Sequence, residues 1–99
     1  MAKYRDRPDI IASILRVVAN APNGYASFTK LMYGAYLSYE QLKEYLAVLV
    51  PNGLIVRGPT IELYKITPKG TEFLNAYDGI QDLLNMQAQK PDLKYQQYL

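Results

Sequence analysis

The segment LMYGAYLSYEQLKEYL, residues 31–46, decides the fold of this 99-residue chain. Its first residues continue a helix that Ser27 can cap. Gly34 near the end of that helix indicates a sharp turn, because glycine adopts left-handed backbone angles without strain. Ser38 and Gln41 have the S-x-x-Q spacing of a capping box and open a further helix. The segment therefore predicts two helices joined by a tight turn.

A helix is also predicted before this pair. Residues 1–8 are expected to form a basic arm, and Asp6 can cap the helix that follows it. Apolar residues over 10–18 recur at the spacing of one buried helical face. The sequence Pro-Asn-Gly at 22–24 ends this helix, and residues 25–26 can form a very short strand.

A β-hairpin and a long helix are predicted after the pair. Residues 54–57 and 61–66 are rich in β-branched and aromatic side chains, and a Gly-Pro-Thr turn separates them. Thr67 and Pro68 suit the cap and first position of a last helix that runs towards Gln89, where Pro91 stops it. This order predicts an α+β winged helix-turn-helix, mainly α with a small β-hairpin. We expect an arm and winged core over 1–70, a C-terminal dimerisation helix over 71–89 and a tail over 90–99.

Composition excludes several classes of function. With 49% hydrophobic and 20% charged residues, the chain has the composition of a folded protein. It contains no Cys and no His, so the usual nucleophile, general base and metal ligands are missing, and we expect neither an enzyme nor a metal or other cofactor. No apolar run approaches the roughly 20 residues of a membrane span, so we expect no membrane contact and a cytoplasmic protein.

Charge is unevenly distributed along the chain. Residues 1–70 contain nine Lys or Arg against five Asp or Glu, whereas residues 71–99 contain two against four. If the chain meets a polyanion, we expect the first seventy residues to face it and the last helix to serve another purpose.

Two motifs resemble one known family. The segment with Met32, Tyr33, Ala35, Leu37, Ser38 and Tyr39, and the segment with Tyr64, Ile66, Thr67, Lys69 and Gly70, are similar to those of the small crenarchaeal chromatin proteins and related archaeal winged-helix regulators. The resemblance covers roughly residues 8–85. It implies binding of double-stranded DNA as a homodimer, with the last helices of two chains packed as an antiparallel coiled coil. The chain departs from the family pattern at Pro51, at Gly79 and in the tail.

The recognition helix supplies the first candidate DNA contacts. Such a helix lays its N-terminal residues against base edges in the major groove. Tyr39 and Gln41 can donate to or accept from bases, Lys43 can neutralise a phosphate, and Ser38 is expected mainly to cap the helix. Among Tyr33, Tyr36 and Tyr39, we expect at least one to pack beneath the turn; Tyr39 is the first candidate for DNA and Tyr36 the second. Glu40 and Glu44 on the same face oppose dense phosphate contact.

The remaining candidate contacts lie outside this helix. They are Arg57 and Thr60 in the hairpin, Lys30 in the second helix, and Arg5 and Arg7, with Lys3, in the arm. A hairpin arginine can reach a phosphate or the minor groove, and an arm can add contacts that ignore sequence. A solvated arginine and an ordinary solubilising terminus are equally good interpretations.

The last helix has a repeating apolar seam, which predicts that it dimerises. Its first turns could instead complete the core of the domain. A transcription regulator and a chromatin-organising protein fit the sequence equally. The alternative class is a protein-interaction module, which the acidic residues of the third helix and the apolar pair Ile61 and Leu63 would suit. The candidate dimerisation residues, taken from this seam and from a second apolar strip beside it, are Phe73, Tyr77, Ile80, Leu83 and Leu84.

Overall fold

The computed structural model describes residues 5–89, which form four α-helices, one 3-10 turn and a three-stranded antiparallel sheet. This is the predicted α+β winged helix-turn-helix. Lys3, Pro91 and the tail lie outside the described residues. The helices are α1 (Arg7–Ala19), α2 (Phe28–Gly34), α3 (Tyr39–Leu49) and α4 (Pro68–Gln89), the 3-10 turn is Pro22–Gly24, and the strands are β1 (Ala26–Ser27), β2 (Ile55–Arg57) and β3 (Leu63–Ile66).

The helices begin at the predicted caps. Asp6 Oδ1 accepts a hydrogen bond from the Asp9 amide at 3.0 Å, which starts α1. Thr67 Oγ1 accepts one from the Gly70 amide at 3.0 Å, which starts α4. Each cap satisfies an otherwise unpaired amide and contributes about 1 kcal/mol. Because α1 already includes Arg7, the arm expected over residues 1–8 ends earlier than predicted.

The core lies where α1 packs against α2, α4 and β3. Burying each large aliphatic side chain there contributes about 1.5–3 kcal/mol. Tyr45 of α3 packs only partly into this core. The largest fully buried side chains are Ile14, Leu15, Leu31, Leu42, Leu49, Ile55 and Val18.

Strand β3 is the centre of the sheet, and it pairs with both β1 and β2. Tyr64 lies opposite Ala26 on one side and Arg57 on the other, and it is buried. The predicted strand over 61–66 was two residues too long, because the Gly58 amide bonds to the Leu63 carbonyl at 2.6 Å and closes the hairpin there. Ile61 therefore lies in the loop, where 73% of its surface is exposed.

The turn between α2 and α3 differs from the prediction. Gly34 does not take the left-handed conformation; Tyr36 does, with a φ of 58°. The Leu37 amide bonds to the Met32 carbonyl at 2.9 Å and the Tyr36 amide to the Tyr33 carbonyl at 3.3 Å, which is the Schellman pattern of a helix end. Gly34 serves a different need, the close approach of α1.

That close approach is visible at Val17. A Cβ built on Gly34 would lie 2.8 Å from Val17 Cγ2, so only glycine lets α2 pack this tightly on α1.

The prediction that at least one tyrosine packs beneath the turn is wrong. Ala35 and Leu37 are the buried residues at the turn, whereas Tyr33, Tyr36 and Tyr39 are exposed.

Helix α4 changes environment along its length. Phe73 and Tyr77 pack partly against the core of their own domain. Arg16 of α1 then makes two hydrogen bonds to the Asp78 carboxylate, at 3.0 and 3.1 Å. The hydrogen bonds from Arg16 lower the pKa of the Asp78 carboxyl below its ordinary value, and the same pairing raises the pKa of Arg16. The exposed apolar residues that follow are Ile80, Leu83 and Leu84.

Candidate nucleic-acid interface

The N-terminus of α3 is held by the predicted capping box. Ser38 Oγ accepts from the Gln41 amide at 3.1 Å, and Gln41 Oε1 accepts from the Ser38 amide at 2.9 Å. Ser38 is therefore used for structure, as expected. Gln41 also uses one acceptor site of its oxygen in the cap, and the two donors of its amide nitrogen remain. Donors of this kind suit acceptors on bases or phosphates.

Tyr39 stands on the exposed face of α3 and is supported from both sides. Its ring lies 5.1 Å from the ring of Phe28, at an interplanar angle of 51°. The ammonium group of Lys43 lies 5.6 Å from the centre of the Tyr39 ring. Contacts of this kind favour one orientation of an exposed tyrosine, and 55% of the surface of Tyr39 remains exposed.

A concave surface of about 330 Å³ separates α3 from the hairpin. Its lining combines Phe28, Leu46 and Tyr64 with the cations Lys43 and Arg57. The sequence named both cations as candidate contacts, but it could not show that they line one partly apolar concave surface. An extended ligand that crossed this surface would meet both cations.

Arg57 is bound to its own hairpin. Its Nη1 donates to the Ile61 carbonyl at 2.8 Å and to the Tyr64 hydroxyl at 3.1 Å. The guanidinium also lies 5.2 Å from the centre of the Tyr64 ring. These contacts hold the loop between β2 and β3 in shape. Thr60 lies exposed within that loop, and its carbonyl accepts from the Leu63 amide at 3.2 Å.

The N-terminal arginines lie on the domain surface rather than in a separate arm. Arg5 donates to the Ala35 carbonyl at 3.0 Å and to Ser13 Oγ at 3.1 Å, which ties the chain start to the end of α2. The guanidinium of Arg7 lies 5.3 Å from the centre of the Tyr45 ring. Lys30 is exposed on α2.

Sequence reasoning missed one cation in the hairpin and one at the start of α4. Lys65 of β3 is exposed, and its ammonium lies 5.8 Å from the centre of the Tyr25 ring. The alternation along the strand, which places Lys65 opposite in direction to the buried Tyr64, could have found it. Lys69 of α4 donates to the Asn52 carbonyl at 2.8 Å, and this pairing has no signal in the sequence.

The described part of the chain contains neither a candidate cluster of metal ligands nor a candidate membrane-spanning helix. Among residues 5–89, no three acidic, His or Cys side chains lie close enough together to hold a metal ion. Nor does this range contain a helix with the length and apolarity needed to cross a bilayer.

Comparison with known proteins agrees with this geometry. The winged helix-turn-helix family profile matches residues 4–85, so the chain belongs to that family. Among solved structures, the crystal structure of Sso10a-2, a DNA-binding protein from Sulfolobus solfataricus, has a similar fold. The TM-score is 0.67 at 23% identity, covering 93% of this chain and 99% of that chain. The resemblance to archaeal winged-helix proteins is thereby confirmed. No curated protein matches the sequence.

Proposed function

We propose that this chain binds double-stranded DNA with the exposed face of α3 and the adjoining hairpin. The observation that carries the proposal is the capped N-terminus of α3, whose first turn exposes Tyr39 and Gln41, next to a concave surface lined by Lys43 of α3 and Arg57 of the hairpin. In a winged helix-turn-helix these are the positions that reach base edges and phosphates. The description of Sso10a-2 as a DNA-binding protein supports the same function.

The charge pattern sets the expected strength of binding. On α3, Lys43 stands between Glu40 and Glu44, and all three side chains are exposed. Few phosphates would therefore be neutralised by this helix, so we expect moderate affinity with the hairpin sharing the contact. Ser38, Tyr36, Thr60, Lys30, Arg5 and Arg7 remain predicted contacts of lesser weight.

The test is a fluorescence-anisotropy titration of labelled duplexes, one of random sequence and one from the region upstream of the protein's own coding sequence. Lys43→Gln should weaken binding several-fold, because a phosphate contact is lost. Asn75→Asp, on the exposed surface of α4, changes the net charge equally and should leave binding unchanged. Equal loss in both variants would show that only net charge matters, and absence of binding at low salt would refute the proposal.

The same titration separates the two roles that the sequence left open. Binding that ignores sequence and falls steeply with salt would assign an architectural, chromatin-organising protein at the nucleoid. A large preference for the upstream duplex would assign a transcription regulator. If neither duplex binds, the protein-interaction alternative gains support, since Ile61 exposes an apolar side chain beside the proposed interface.

We further infer that two copies associate through the distal half of α4. Ile80, Leu83 and Leu84 recur at helical spacing on an exposed apolar face, and residues 71–89 contain no Lys or Arg that would bring this helix to DNA. Analytical ultracentrifugation should give twice the 11.3 kDa mass of one chain. Leu84→Lys should shift the protein towards monomer, whereas Asn85→Lys, next in sequence and also exposed, should not. A monomeric parent protein would refute this inference.

A further inference from the structure

Two tyrosines beside the helix-turn-helix turn are highly exposed, although large aromatic side chains are usually at least partly buried. Tyr33 exposes 70% of its surface and Tyr36 exposes 86%. Tyr36 also takes a left-handed backbone conformation, at a helix end where glycine is the usual residue. A bulky residue in this conformation raises the free energy of the folded state. Packing of the Tyr36 ring offsets little of that cost, because most of the ring is exposed.

Both tyrosines line a groove along α1. Tyr33 borders a concavity of about 630 Å³, and Tyr36 borders one of about 500 Å³. The two concavities share Ser13 and Arg16 of α1, so they adjoin there, and we call the two together the α1 groove. This groove is distinct from the concave surface between α3 and the hairpin, with which it shares no lining residue.

The charges of the groove favour an anion but not a strong polyanion. Lys30, Arg16 and Arg5 line it, and Asp9 lines it as well. Arg16 is paired with Asp78, and Arg5 donates to Ala35 and Ser13. The electrostatic attraction is therefore modest, with exposed Lys30 as the main phosphate contact. Most of the available binding free energy must come from the aromatic faces.

Aromatic faces bind bases only where those bases are unstacked. In a duplex, each base is covered above and below by its neighbours, and a protein reads its edges instead. In a single strand, successive bases can stack on exposed tyrosines, with little dependence on sequence. We propose that Tyr33 and Tyr36 form a stacking platform for unpaired bases, and that the chain binds single-stranded nucleic acid along α1, with Lys30 contacting a phosphate.

The probe is a labelled thymidine oligomer of about a dozen nucleotides, long enough to cover one such groove. The full-length protein should bind it, and Tyr36→Leu or Tyr33→Leu should each weaken binding about tenfold or more. Tyr36→Phe and Tyr33→Phe keep the aromatic face and should bind as the parent does. A uridine oligomer of the same length shows whether the protein prefers single-stranded RNA or DNA. Binding of either oligomer supports the platform.

The platform and the α3 face can be tested separately through Lys43, which does not line the α1 groove, although Tyr36, Lys30 and Arg5 are also predicted duplex contacts of lesser weight. Lys43→Gln should weaken duplex binding and leave binding of the thymidine oligomer unchanged. Salt dependence should be shallow, with a slope of about −0.7 in log–log form, because about one phosphate of a single strand is neutralised. The proposal is overturned if the parent does not bind the oligomer, if both Leu variants bind as tightly as the parent, or if the Phe variants lose binding. Tyr33 lies within α2 with ordinary helical geometry, so its variants test the idea even if changes at Tyr36 disturb the turn.

Discussion

Alanine substitutions at the two glycines of α4 should change stability in opposite directions. At Gly70, an added Cβ would overlap the backbone carbonyl oxygen of Leu54 and would lie 2.7 Å from Ile66 Cγ1. The Leu54 carbonyl cannot simply move away, because it accepts from the Thr67 amide at 3.2 Å and from Thr67 Oγ1 at 3.1 Å. At Gly79, an added Cβ would meet no atom within 4 Å.

The magnitudes follow from these contacts. Overpacking costs about 1–3 kcal/mol, and each disturbed hydrogen bond at Leu54 adds about 1 kcal/mol. Alanine returns about 1 kcal/mol as a better helix former than glycine. Gly70→Ala should therefore lower the free energy of unfolding by about 2 kcal/mol or more. At Gly79, alanine is the better helix former and meets no clash, so Gly79→Ala should raise the free energy of unfolding by about 1 kcal/mol.

Urea unfolding followed by circular dichroism, at one fixed protein concentration, measures both variants. The concentration must be fixed because association would itself add to the apparent stability. For a domain of this size, 1 kcal/mol corresponds to a change in Tm of about 4–8 °C, so thermal melts provide a second readout. If Gly70→Ala were within about 0.5 kcal/mol of the parent, the contact between α4 and Leu54 would not be as close as described.

Three further predictions concern the caps, the ion pair and the core. Ser38→Ala should lower the free energy of unfolding by about 1 kcal/mol in urea titrations, because the Gln41 amide loses its partner; no loss would contradict the capping box. Asp78→Asn should cost less than about 1 kcal/mol, since both partners are substantially exposed. The lowered pKa of Asp78 means that this stabilisation is present above the ordinary aspartate pKa and is lost as pH falls through the folded value, so the Tm values of parent and variant should converge in acid. Leu42→Ala should cost about 2–5 kcal/mol in the same unfolding assay, because the side chain is fully buried; a smaller cost would mean that the site collapses around the gap.

Features that depend on neighbours in sequence were predictable. The caps at Asp6, Ser38 and Thr67 act over three residues, so their residue types and spacing sufficed to place the helix starts. The order of elements followed from these boundaries and from the hydrophobic periodicity. The family resemblance and the fold were therefore both available from the sequence.

Features that depend on distant residues were not predictable. Gly34 is required by Val17 of another helix, so its own neighbourhood suggested the wrong reason for a glycine. Arg5 bonds to a carbonyl 30 residues away, and Arg16 to a carboxylate 62 residues away. Neither pairing has a local signature.

The candidate interface shows the same division. The exposed face of α3 was correctly identified, because a buried stripe defines the opposite face. The sequence did not reveal the hydrogen bond from the Arg57 guanidinium to the Ile61 carbonyl, because that bond depends on the shape of the hairpin loop. The exposure of all three tyrosines at the turn was not predictable either, since Ala35 and Leu37 had already filled the space beneath it.

The last helix combines two tasks that the sequence presents as one continuous seam. Phe73 and Tyr77 pack on their own domain, and the Arg16–Asp78 pair then fixes the helix against α1. From Ile80 onward the apolar face is exposed. The periodicity is the same on both sides of this boundary, so only the position of α1 reveals it. Our dimer proposal consequently rests on the distal residues alone, and a charge placed at Tyr77 would test folding rather than association.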